Sequence, residues 1–520
     1  MLCALGSGAP VGKAIDSDGL PRSLNGRTVV IAHGGGRDLR TKASVADPPS
    51  PCSRRKWNQR NTGTSRVSMY GIRLAGAEPA DIRGIATTPT GTERCGTSSL
   101  PDHLLPGIVV LNERYFPENE LAAARVGATS FARSVLRCLR RAELFAGMIL
   151  YRRDETSDEP VLETVYRSGI TCIVLRFHFG MSERAVRAAI AEAADRLLAG
   201  YGWDGHGVLC YQTDVLLRFH PDELICCVTH HGPFVHDVVG TFSAQETGRA
   251  FGGATKALHL LEQQERGLAR VRENANMYVL QHSFLQRSYL IDRGVDDRRI
   301  FALRPPISVP AAPAPMRSAE LAAFVADAGL LLCTAVARLD HFKNVELLID
   351  AGIRLCAKGI PIRILVAGGG DNEQSVRAEL ANRVPREYAE QFMAVPKLTK
   401  PELYSLFRQA RRNGIFVCPS RYETLGITPL EAALSGVCTL IADSEKVEAA
   451  RLFPSTYRFD PTVDGLAKAI ERIHRNPRPP EAIGAQLRRA VAAEVSEENF
   501  RRDLLRAWGQ FALDTRGSDD

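Results

Sequence analysis

No run in this sequence approaches 18 consecutive apolar residues, so it is read as having no transmembrane helix. The opening MLCALGSGAPVGKAID has no basic segment ahead of its short apolar stretch, and no signal peptide is expected. C-x-x-C pairs are missing too. Twelve cysteines are scattered singly, apart from the adjacent Cys226 and Cys227 in an apolar run, which predicts reduced, buried thiols and not a disulfide framework or a zinc site. A cytoplasmic location is therefore expected, and placement at the inner face of a membrane is compatible with it. Net charge is modest: +7, with pI about 8.8, selects no partner class among phosphates, anionic lipid and nucleic acid.

What is present is length and alternation. With 520 residues, 45% of them hydrophobic, the chain can build two domains with separate cores. Apolar runs alternate with helical patterns, which predicts an α/β fold. Residues 1–104, rich in Gly, Ser, Thr, Pro and Arg, are expected to be a disordered extension. Within it Gly34, Gly35 and Gly36 follow an apolar run without a helix after them and read as a turn. The cluster Arg54, Arg55, Lys56, Trp57 and Arg60 reads as a solvated basic tail. A first domain is placed at 105–310, a stiff Pro-rich linker at 311–328, a second domain at 329–495 and a terminal amphipathic helix at 496–520.

The most informative stretch is Cys418 to Ala442, CPSRYETLGITPLEAALSGVCTLIA: strand, loop, helix, strand. Thr428 with Glu431 reads as a capping box, Pro429 as a first-turn proline and Gly436 as a helix stop. Capping leaves Glu423 and the run Thr424, Leu425, Gly426 without a purpose. Backbone N–H groups beside a helix N-terminus suit a diphosphate.

These residues resemble the retaining GT-B glycosyltransferases of family four, the sucrose-synthase and glycogen-synthase-like group. That group carries PS, a Glu-x7-Glu pair and an EA..G helix in its C-terminal domain. ARLDHFKN is similar to its RLD..KN segment. The resemblance covers roughly Gly107 to Phe511 and implies a GT-B architecture, two Rossmann-like domains facing a central cleft. It also implies transfer of a sugar from a nucleotide-sugar donor to an acceptor hydroxyl with retention of configuration. Residue by residue, Arg338 and Lys343 would hold the donor diphosphate, Glu423 the donor sugar, and Glu431 the ribose. His231 is the histidine expected across the cleft at the end of a first-domain strand. Gly368 and Gly369 read equally as a tight strand-to-helix turn or as lining for the donor site, before a helix near Asp371. His230 and His236 are assigned to the acceptor side. The base is expected near Val395 to Leu398. IRILVAGGGDNE is not G-x-G-x-x-G, so no dinucleotide cofactor is inferred, and the group generally lacks a D-x-D metal motif, so neither cofactor nor metal is expected. The chain departs from the group at Glu120, Leu121 and Ala122, where two glycines are usual, and at Arg304, Pro305 and Pro306.

The acceptor is left open, and nucleic acid is not expected as a partner. Two competing readings stand beside transfer: epimerisation or hydrolysis of a sugar nucleotide, and a non-catalytic binding module with a basic tail. Intact Arg338, Lys343, Glu423 and Glu431 argue against the second.

Overall fold

The computed structural model describes residues 104–116, 127–311, 315–316, 318–370 and 373–516. The glycine triplet 34–36, the basic cluster 54–60, the loop at Glu120 and Asp371 lie outside the described residues, as does the extension up to residue 103.

Among the described residues fourteen strands form two sheets. The first contains β1 Gly107–Asn112, β2 Phe145–Arg153, β3 Val161–Arg167, β4 Ile170–Phe177, β5 Val208–Tyr211, β6 Ile225–Val228, β7 Met277–Gln281 and β8 Ile300–Ala302. Its order is β3-β4-β2-β1-β5-β6-β7-β8, parallel except for β3, which pairs antiparallel with β4. The second contains β9 Leu330–Val336, β10 Ile362–Gly368, β11 Phe392–Val395, β12 Gly414–Cys418, β13 Cys438–Ala442 and β14 Arg458–Phe459, all parallel, in the order β11-β10-β9-β12-β13-β14.

Parallel sheets are covered on both faces, which is why these strands read as unbroken apolar runs. Side chains alternate between the two covering layers. Ile108 and Val110 enter one core while Val109 and Leu111 enter the other. Leu331 and Cys333 likewise oppose Leu330 and Leu332 in the second sheet. The described cysteines are free and mostly buried. Among the described residues no helix is long and apolar enough to cross a membrane.

In the second sheet the order reverses between β9 and β12, and in the first between β1 and β5. At such a switch point the loops leaving the two central strands diverge to opposite faces and open a crevice at their carboxyl ends. The residues after β9 and β12 therefore face the same crevice.

Residues 311–328 are more than a linker. Ser318 caps the helix Ala319–Ala326 by accepting from Leu321 N (3.1 Å), and Leu321, Phe324 and Val325 are buried in the second domain's core. The prolines before it read as a linker, but the apolar face LAAFV covers the second sheet. The helix Glu497–Arg516 returns to the first sheet, where Phe500, Leu504, Trp508 and Phe511 are buried.

Candidate functional site

Arg338 and Lys343 follow β9, and Glu423 follows β12, so the switch point brings them together across 80 residues of chain. Lys343 Nζ lies 2.6 Å from Glu423 Oε1, and Ser420 Oγ donates to the same oxygen at 2.8 Å. Among the described residues nothing donates to Glu423 Oε2. Burial would lower the Lys343 pKa, but Glu423 and Asp340 overcome it and raise it, so the ammonium stays charged. Arg338 pairs with Asp340 at 2.9 Å and reaches Ala250 O of the first domain at 3.4 Å.

The helix after the loop is Ile427–Leu434, capped by Gly426 at φ +82°. The expected capping box is not formed. Gly426 enters the left-handed region, which an L side chain resists, and starts the helix one residue ahead of Thr428. Glu431 consequently spends its carboxylate elsewhere: Oε1 accepts from Lys400 Nζ and from Tyr404 Oη (3.1 Å), while the buried Oε2 has no hydrogen-bond partner among the described residues. Lys400 and Tyr404 sit four apart on the helix Lys400–Ala410, one turn on the same face. Leu425 is a core side chain, leaving only its backbone to the loop. Gly436, at φ +81°, ends the helix as expected.

Gly368 closes β10 where a Cβ would fall 2.6 Å from Val336 Cγ2, and Gly369 has φ +75°. Both glycines are required by the turn. The adjoining Glu373 was invisible to motif reading: its carboxylate accepts from Leu339 N (3.1 Å) and Gly370 N (2.6 Å), tying the Arg338 loop to the glycine loop.

Across the crevice, the loop after β6 carries the histidines. His231 is half-buried, its Nε2 3.1 Å from Gln212 Oε1, its ring stacked on His282 with centroids 6.0 Å apart. Burial and the neighbouring His282 hold its pKa well below the ordinary value, so the imidazole is neutral. Its carbonyl lies 3.5 Å from Thr424 Oγ1, across the crevice from the second domain. His230 is not on the acceptor surface. It is 1% exposed, with Nδ1 3.2 Å from Asp214 Oδ1. Burial alone would raise the Asp214 carboxyl; His230 and a hydrogen bond from Gln264 bring it below its usual range. His236 is exposed, its ring 6.2 Å from that of Tyr289.

Gln264 and Gln286 fix this loop, and neither left a sequence signal. Gln264 accepts from Val235 N (2.9 Å) and donates to Pro233 O (3.3 Å), and Gln286 donates to Gly232 O at 2.5 Å. The two domains meet beside the site through Val235, Val238 and Phe251 on one side and Phe342 and Tyr422 on the other.

Comparison with known proteins adds to this geometry. A glycogen synthase from Jannaschia sp. (strain CCS1) is 30% identical over 173 residues, a match that covers 30% of this chain and spans only 35% of that relative. Among solved structures, the sucrose-phosphate synthase from Thermosynechococcus elongatus superimposes with a TM-score of 0.54 at 18% identity, over 79% of this chain and all of that one. HepE of Anabaena, in complex with UDP and glucose, gives 0.54 at 12% identity, over 78% of this chain and all of that one. At such identities the likeness concerns the fold alone, which is the GT-B arrangement of two Rossmann-like domains. Residues 322–490, the second domain with its leading helix, match the family model of the glycosyl transferases group 1.

Proposed function

We propose that the chain transfers a glycosyl group from a nucleotide sugar to an acceptor hydroxyl with retention of configuration. The observation that carries the reading is the Lys343–Glu423 pair at the switch point of a domain matching the group 1 transferases. A nucleoside diphosphate gains negative charge as the bond to the anomeric carbon breaks, and fixed cations in a partly desolvated crevice stabilise that charge. Lys343 and Arg338 are assigned to it. Glu423, through Oε2, is assigned to the donor-sugar hydroxyls and to the positive charge that develops on the ring. Glu431, whose Oε2 lacks a donor, is assigned to the ribose hydroxyls. The departing phosphate oxygen takes the proton of the acceptor hydroxyl on the same face as the acceptor oxygen bonds to the anomeric carbon, so the configuration is kept. His231, neutral and across the crevice, is assigned to the sugar as a hydrogen-bonding partner.

UDP is the first nucleotide to test, because the HepE structure holds UDP. A ligand at about 100 times its dissociation constant adds about 2.7 kcal/mol to the native state. The unfolding transition should therefore rise with UDP, GDP or ADP, and the rise should be lost in Arg338→Ala. No shift with any of the three would remove the donor site. Retention is read from the anomer of the first product formed, and an inverted product would refute it.

A further inference from the structure

Glu423 is held through its backbone as well as its carboxylate. Its N–H donates to Lys446 O at 2.8 Å, and its carbonyl accepts from Glu448 N at 3.0 Å, a parallel bridge to Val447. Asp237, in the first turn of the helix Val235–Thr241, belongs to the other domain. Its Oδ2 accepts from Tyr422 Oη at 2.9 Å, and its Oδ1 lies 3.0 Å from Lys446 Nζ. One carboxylate thus grips Tyr422, the residue before Glu423, and Lys446, whose carbonyl accepts from the Glu423 N–H. A few residues on, Glu448 is 2% exposed and accepts from Leu285 N (3.1 Å) and Ser283 Oγ (3.4 Å), again across the domain boundary.

We propose that Asp237 is a positioning residue which, when the domains are closed, clamps both backbone strands around Glu423 and so fixes where the Glu423 carboxylate stands. The inference rests on the glycosyl-transfer reading of that site. It makes a first-domain side chain part of the second domain's catalytic geometry, so that Glu423 is fully placed only when the crevice is shut. Burial and the Asp237 carboxylate push the Tyr422 hydroxyl far above its ordinary pKa, so it remains a donor throughout the neutral range. The Asp237–Lys446 pair is half-buried on the lysine side and more buried on the carboxylate side, which limits screening by salt.

The test compares the full-length protein with Asp237→Ala and Asp237→Asn. Turnover should fall, by about 10²-fold for the alanine variant since a displacement of about 1 Å in a catalytic group has effects of that order. The asparagine variant keeps an acceptor for Tyr422 and should fall less. The dissociation constant of the nucleotide diphosphate should stay within about twofold, since the clamp does not touch it. In the ligand-free protein, hydrogen exchange at the amides of Glu423 and Glu448 should quicken in Asp237→Ala while exchange in the strands of both sheets is unchanged. Wild-type turnover in the variants, an equal loss of nucleotide affinity, or unchanged exchange at those two amides would overturn the clamp. The exchange measurement needs no substrate. It therefore decides the clamp even if the wild-type protein turns over no sugar nucleotide, the result that would instead remove the glycosyl-transfer reading.

Discussion

Replacing Glu423 by alanine should lower turnover by about 10²–10³-fold, the range seen when one group that meets developing charge is removed, while affinity for the nucleotide diphosphate holds or rises. The sign of the second effect follows from the pairing of Lys343 with Glu423. Lys343 Nζ is committed to Glu423 Oε1. A diphosphate must share that ammonium with a carboxylate that also repels it. Removing the carboxylate frees the cation and takes away the repulsion. Lys343→Ala is the opposite case. On the proposed assignment it removes a charge-assisted hydrogen bond to the phosphate and leaves Glu423 facing the ligand, so affinity should fall by about tenfold, the low end of what such bonds contribute, and turnover should fall with it. Nucleotide titration by calorimetry beside steady-state rates separates the two. A loss of affinity in Glu423→Ala as large as in Lys343→Ala would show that both residues merely hold the loop.

The contrast between these residues and their neighbours marks what a single sequence discloses. The strands were legible because parallel sheets need unbroken apolar runs, and VCTLIA or ITCIVLRF allow little else. The stretch 418–442 carries its own punctuation in Pro419, Gly426 and Gly436, and its order of strand, loop, helix and strand is the expected one, with the helix start displaced. The helix start was misplaced because a capping box is a local pattern, whereas the contact that claims Glu431 comes from Lys400, 31 residues away. Lys343 and Glu423 came to notice together only through the resemblance; no local spacing pairs residues 80 apart. The histidine pair shows another limit. His230 and His231 are indistinguishable as a sequence pair, yet His230 is buried beside Asp214 while His231 is half-buried. Gln212, Gln264 and Glu373 leave no sequence signal, and Asp237 reads only as a neighbour of His236 on the acceptor side, for the same reason: each acts on a segment far away in the chain, and a lone polar residue in a loop or on a helix announces nothing.

Trp508→Ala should destabilise the first domain by about 3–5 kcal/mol, as large-to-small substitutions of buried aromatics do. Trp508 is fully buried, packed with Phe511 at a ring distance of 5.7 Å, and its Nε1 donates to Leu105 O at 2.9 Å. It also lies against the start of the central strand β1: a Cβ on Gly107 would stand 2.7 Å from Trp508 Cζ2, so strand and ring are matched to one another. The residue belongs to the helix Glu497–Arg516, which follows the last helices of the second domain but buries its apolar face in the first. Loss of the ring therefore opens a cavity under β1 and loosens the one helix by which the chain's end is tied to that sheet. For a domain of this size each kcal/mol moves the transition by about 2–4 °C, so a first-domain transition should separate and fall by about 6–20 °C while the second domain's is kept. Trp508→Phe, which retains one ring but loses the hydrogen bond to Leu105 and the part of the indole that meets Gly107, should cost less, about 1–3 kcal/mol. Calorimetry of the three proteins decides it. An unchanged profile for Trp508→Ala would mean that the helix is dispensable to the first core, and equal effects for both variants would place the stabilisation in what both lose, the hydrogen bond to Leu105 and the indole edge against Gly107.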